Sequence, residues 1–153
     1  MDAPLAEKLY GAWTLISWRI EYDNGRPANE PFGADPLGVI LYDRSGCMSA
    51  TMCTRRRSPF SAASVAAANV ESKARALDEY LAYTGRWRLE GRVIVHEVTC
   101  SLNPVLIGTE QRREALLDGD LLDLSATESE TVNQLVKHRR HVIRWRRAEN
   151  QLY

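Results

Sequence analysis

Short runs in which apolar and polar residues alternate with a period of two fill most of this chain. Rich in β-branched and aromatic side chains, they cover residues 13–22, 39–43, 47–54, 84–89, 93–102, 109–117, 121–126 and 136–146. Residues that accept turn geometry cheaply separate them: Asp23-Asn24-Gly25-Arg26-Pro27, Arg44-Ser45-Gly46, Glu90-Gly91, Asn103-Pro104 and Asp118-Gly119-Asp120. Eight short strands joined mainly by tight turns predict an antiparallel sandwich or barrel. A parallel α/β fold would need helices between most strands, and no such helical pattern occurs.

One insertion interrupts the meander, between the third and fourth strands. Residues 61–68 are rich in Ala and Ser, and Asn69 is suited to cap a helix over 69–81. Val70, Ala74, Leu77 and Leu81 form one apolar stripe, with Glu71 and Arg75 spaced to pair on the other side. Such a stripe must bury against something, which makes the helix a plug or a lid at one end of the sheet structure.

Composition narrows the class. The 153 residues suit one domain spanning residues 1–153. Twenty basic and twenty acidic side chains cancel, so no overall field draws nucleic acid or an anionic membrane. Met1-Asp2-Ala3-Pro4 lacks a basic, apolar secretory leader, and no apolar run approaches a membrane span. The expected compartment is the cytoplasm. Cys47, Cys53 and Cys100 are odd in number and form no Cys-x-x-Cys pair. On one strand Cys47 and Cys53 would lie about 20 Å apart, so free thiols are expected.

Several segments resemble the bacterial and fungal lipocalin-like domain family of calycin-type barrels. Leu9-Tyr10-Gly11-Ala12-Trp13 resembles its opening Gly-x-Trp strand. Pro31-Phe32-Gly33, Gly38-Val39-Ile40-Leu41-Tyr42 and Gly46-Cys47-Met48-Ser49 resemble its next hairpin. Tyr80-Leu81-Ala82-Tyr83-Thr84-Gly85-Arg86-Trp87 resembles the passage from helix to fourth strand. His96 to Ser101, Pro104, Gly108-Thr109-Glu110-Gln111 and Arg113 resemble a later motif, and Trp145-Arg146 the closing strand. Two departures stand out: Val105-Leu106-Ile107 and Ala115 replace expected aromatic residues, which enlarges or reshapes a cavity. The resemblance implies an up-and-down antiparallel barrel of about eight strands, all-β apart from one or two short helices. It also implies an interior that holds a small apolar molecule. Some relatives act as cyclases or isomerases without a redox cofactor.

Within such a barrel, alternation sorts side chains by face. Tyr83, Gly85, Trp87 and Leu89 share an inward face, as do Thr109, Gln111, Arg113, Ala115 and Leu117. An inward arginine needs compensation, so Arg113 is either a structural ion-pair member or a fork that orients a ligand oxygen, with Gln111 beside it. His96 groups with Ile94 and Val98; it is a hydrogen-bonded core residue or a general acid–base. Tyr83 joins Arg113 and His96 as a candidate catalytic group. Tyr42, Met48, Met52, Trp87, Gln111 and Ala115 are candidate lining residues, or simply core. His138 and His141, three apart, face opposite sides of a strand and cannot chelate one ion together, so no metal and no cofactor is expected. Arg55-Arg56-Arg57 and the basic residues of 137–147 read as solvated faces that discourage edge pairing.

Together with these inward polar groups, the resemblance implies a cofactor-independent cyclase or isomerase that templates an apolar natural-product-type substrate, a polyene, polyketide or terpenoid. A carrier that sequesters a small hydrophobic metabolite is the alternative, and a dimerising structural module a third. The expected partner is a small apolar ligand, with neither nucleic acid nor membrane, and the chain a monomer or homodimer.

Overall fold

Eight strands hydrogen-bond in chain order, and the last returns to the first to close an antiparallel up-and-down barrel. The computed structural model describes residues 4–148. The strands are β1 (Gly11–Tyr22), β2 (Leu37–Tyr42), β3 (Cys47–Cys53), β4 (Tyr80–Glu90), β5 (Val93–Ser101), β6 (Glu110–Asp118), β7 (Leu121–Val132) and β8 (Leu135–Arg147). Two helices accompany them, α1 (Leu5–Leu9) and α2 (Val70–Asp78). No helix among the described residues is long and apolar enough to cross a membrane.

The two ends of the barrel differ. At one end, tight hairpins and α1 close over Trp13, Tyr42, Met48, Leu122 and Trp145, all buried. A five-residue helix is far too short to persist by itself. It is held because Trp13 donates its indole N–H to the Leu9 carbonyl at 2.9 Å. Arg147 adds to this by donating to the carbonyls of Lys8 and Tyr10 while lying over the Trp13 ring. At the other end lie the long segments 23–36, 54–79 and 102–109, and this end forms the mouth.

Two irregularities re-aim side chains. The β1–β8 ladder slips between Leu15 and Ser17, so Trp18 faces Ile143 and joins the inner face. The β4–β5 ladder slips between Thr84 and Gly85. Glycine is required there, because a β-carbon at residue 85 would collide with the Glu97 carbonyl.

The structure corrects several expectations. Strand β4 begins at Tyr80 rather than 84, since Tyr80 already pairs with Cys53. Helix α2 therefore stops at Asp78 instead of continuing to 81, although Asn69 does cap it by accepting from the Ser72 N–H at 2.8 Å. Its stripe is not buried: Val70 is 80% and Leu77 48% exposed, because α2 lies beside the mouth rather than across it. Strand β7 runs on past 126 to Val132, in a polar stretch whose cross-strand pairs with β8 replace apolar burial. Asn133 and Gln134, both at positive φ, form the two-residue turn that matches strand twist. The basic residues of β8 protect no edge, because the closed barrel has none. Instead Arg144 grips Asp123 through two 2.7 Å bonds, and Arg139 pairs with Glu128. All three cysteines are free.

Candidate functional site: a polar layer beneath an apolar mouth

Three strands bring aromatic and titratable side chains together inside the barrel. Alternation on β2 turns Ile40 and Tyr42 inward, on β4 Leu81, Tyr83 and Gly85, and on β5 Ile94, His96 and Val98. His96 is 1% exposed, and its two ring nitrogens each meet a tyrosine hydroxyl. The Tyr42 hydroxyl lies 2.8 Å from Nε2, and the Tyr83 hydroxyl 2.8 Å from Nδ1. The rings themselves pack at 5.6 and 5.8 Å between centroids.

Arg113 and Gln111 point into the same space from β6. Gln111 accepts from the Arg113 guanidinium at 3.2 Å and donates to Thr109 at 2.9 Å. Arg113 also donates to the Arg112 carbonyl at 3.0 Å. Among the described residues no carboxylate lies within 4.0 Å of it, so the ion-pair reading of Arg113 does not apply. Its charge is nevertheless felt by the tyrosines and by His96. Burial, aided by Arg113, pushes His96 down to about 3. Burial raises Tyr83 to about 12 against the opposing pull of Arg113, and raises Tyr42 well above its usual value. All three are therefore neutral at ordinary pH.

A second polar group lies across the barrel, in which His141, weighed from the sequence only as a metal ligand, meets Trp18 and Glu128. Trp18 donates its indole N–H to Nδ1 of His141 at 3.2 Å, which leaves Nε2 as the protonated nitrogen. Nε2 faces Glu128 Oε2 at 3.4 Å without completing a hydrogen bond. Burial lowers the His141 pKa despite the nearby carboxylate. Burial disfavours the Glu128 carboxylate, yet Arg139, His141 and Arg113 together hold it below the usual range.

Above this layer the barrel opens into a chamber of about 370 Å³ lined by Trp18, Phe32, Leu77, Leu81 and Leu102. Tyr83 is the next inward residue below Leu81 on β4, so the tyrosine–histidine cluster lies one inward position deeper than the chamber wall. A larger outer groove, about 660 Å³, shares Leu77, Tyr80 and Leu102 with it and adds Phe60 and Val65. The combination of apolar walls and a few convergent polar groups is that of a small-molecule site.

The remaining candidates fall elsewhere in the interior. Met52 pairs with Leu81 near the mouth, whereas Met48 and Ala115 are packed into the core toward the closed end. Trp87 packs at a tilt against Tyr42, 4.8 Å between ring centroids, and donates to the Asp43 carbonyl at 3.0 Å, also at the closed end. No group of three or more metal-ligating side chains occurs among the described residues.

The polar layer and mouth occupy a chain that matches a family model, described as a lipocalin-like domain, over residues 10–148. The 4'-hydroxy-3'-methoxypropiophenone carrier protein ppsC of Aspergillus oryzae (strain ATCC 42149 / RIB 40) is 33% identical over 85 residues. That match covers 50% of this chain and 75% of the relative. With its Gly-x-Trp opening strand, its closed eight-stranded barrel and a family match over nearly its whole length, this chain belongs to the lipocalin-like domain family.

Proposed function

We propose that this protein is a carrier for a small, largely apolar aromatic molecule that bears a hydrogen-bond-accepting oxygen. One observation carries the reading: an apolar chamber at the mouth sits above a buried histidine whose two ring nitrogens are both engaged by tyrosine hydroxyls. A general acid or base works best with a pKa near the operating pH. Burial moves His96 down to about 3 and Tyr83 up to about 12, away from that range on either side, which favours a hydrogen-bonding role for both. A chamber of about 370 Å³ suits a single-ring ligand with a short side chain. The name of the fungal relative, a carrier of an aromatic ketone, points the same way.

Arg113 favours a second reading. A lumenal cation without a carboxylate partner would stabilise negative charge developing on a substrate oxygen. In that reading the barrel is a cofactor-independent cyclase or isomerase, and acts by holding a reactive conformer.

The test uses 4'-hydroxy-3'-methoxypropiophenone and 2-methoxy-4-propylphenol, the same molecule with its carbonyl replaced by a methylene. Calorimetric titration of the purified chain should show binding of the ketone. Ligand extracted after prolonged incubation should be unchanged by chromatography and mass. An isomer of identical mass but altered retention would favour the enzyme reading. Absence of binding by either compound would overturn the aromatic-carrier reading.

A further inference from the structure

A neutral imidazole has one N–H donor and one bare nitrogen, so His96 cannot treat its two tyrosine neighbours alike. One tyrosine must donate to it and the other must accept from it. The tyrosine that accepts keeps its own O–H free for another partner. Burial identifies which one that is.

Tyr42 is 2% exposed, and His96 Nε2 is the one hydrogen-bond partner of its hydroxyl among the described residues. If Nε2 carried the proton, the Tyr42 O–H would be a buried donor with nothing to bond, a costly arrangement. The Tyr42 O–H therefore donates to Nε2. The ring proton then resides on Nδ1, which donates to the Tyr83 oxygen at 2.8 Å. Tyr83 is only partly buried and lies directly below Leu81, a wall of the mouth chamber. Of the two tyrosines it is the less buried, so its O–H is the one that can be left for an outside partner, within the influence of the Arg113 charge.

We infer that Tyr42, His96 and Tyr83 form a one-way hydrogen-bond chain that holds the Tyr83 hydroxyl as a directed donor, and that Tyr83 with Arg113 recognises a carbonyl oxygen of the ligand. Tyr83 and Arg113 touch the ligand; His96 and Tyr42 are positioning residues that act through Tyr83. The chain also polarises the terminal O–H, since a hydroxyl that accepts one hydrogen bond donates a stronger one. The ligand assignment rests on the carrier reading, whereas the direction of the chain does not.

Two measurements test it. The first is the tautomer of His96 in the ligand-free protein, read from long-range ¹H–¹⁵N correlation spectra. The proton is expected on Nδ1, and a proton on Nε2 overturns the inference. The second is the ratio of affinities for the ketone and its methylene analogue. The unmodified protein should prefer the ketone by about tenfold, the worth of one good hydrogen bond. Tyr83→Phe should bring the ratio close to one by weakening the ketone alone. Tyr42→Phe should lower the ratio several-fold although residue 42 does not reach the ligand, because His96 loses its bias and the Tyr83 O–H turns back toward Nδ1. Equal affinity in the unmodified protein, or a full ketone preference in either variant, overturns the inference while leaving the carrier reading intact. If neither compound binds, the carrier reading falls, and the chain's direction is decided by the tautomer.

Discussion

The Arg147 guanidinium lies 4.2 Å from the centroid of the Trp13 ring, one on the last strand and the other on the first. The same side chain holds the carbonyls of Lys8 and Tyr10, so one arginine ties the barrel's closing seam to α1. Arg147→Met keeps the stem's packing and removes these contacts. It should lower stability by about 1–3 kcal/mol and leave the amides of α1 exchanging quickly. Denaturant midpoints and hydrogen exchange over residues 5–9 check both effects. An unchanged midpoint with a protected α1 would contradict this account.

Arg113→Met is expected to behave differently. Arg113 makes no direct ion pair, and Glu128, which feels its charge, keeps Arg139 as a partner, so stability should stay within about 1 kcal/mol of the original. Affinity for an oxygen-bearing ligand should fall by about tenfold or more. A loss of about 3–5 kcal/mol would instead show that the arginine has a structural charge partner.

Stability should depend on pH through His96. Its pKa is about 3 when folded and near 6.5 in the unfolded chain. As pH falls below about 6.5, the unfolded state takes up a proton that the native state refuses, so acid favours unfolding. This contribution is fully present above pH 6.5 and declines toward pH 3, by up to about 1.4 kcal/mol for each pH unit. Carboxylates titrate in the same window, so the difference between the original chain and His96→Gln isolates the histidine. Urea midpoints from pH 7 to 4 should fall less steeply for the variant, and parallel profiles would exclude the histidine as the cause.

The thiols supply a fourth expectation. Cys47 and Cys100 are exposed, while Cys53 is half-buried and burial raises its pKa. A thiol reagent should modify the first two quickly and Cys53 slowly, because the thiolate is the reactive form. A reductant should leave the melting temperature unchanged, and a shift of several degrees would reveal a disulfide.

Alternation made the barrel legible, because strands with one face inward must repeat every second residue. It also placed Tyr83, His96, Gln111 and Arg113 on inner faces. It could not show that Tyr42, Tyr83 and His96 touch, since they lie on three different strands and their contact depends on register. Trp18 escaped notice because the slip after Leu15 reverses the parity of β1. Glu128 escaped because the apolar signal of β7 ends near 126, although the strand continues in polar residues, and His141 was weighed only as a metal ligand because its partners Trp18 and Glu128 lie on other strands. The α2 stripe shows the opposite failure. Its spacing correctly indicated a helix, but periodicity does not say how deeply a stripe is buried.

Ala148 donates its backbone N–H to the Ala12 carbonyl, so the last described residue sits beside α1 at the closed base. The first and last described residues thus both lie at the floor of the vessel, opposite its mouth. A surface or partner that met the barrel at these two positions would touch its floor and leave the entrance clear. A surface-anchored barrel would accordingly present its opening outward, and cargo could enter and leave without passing the anchor.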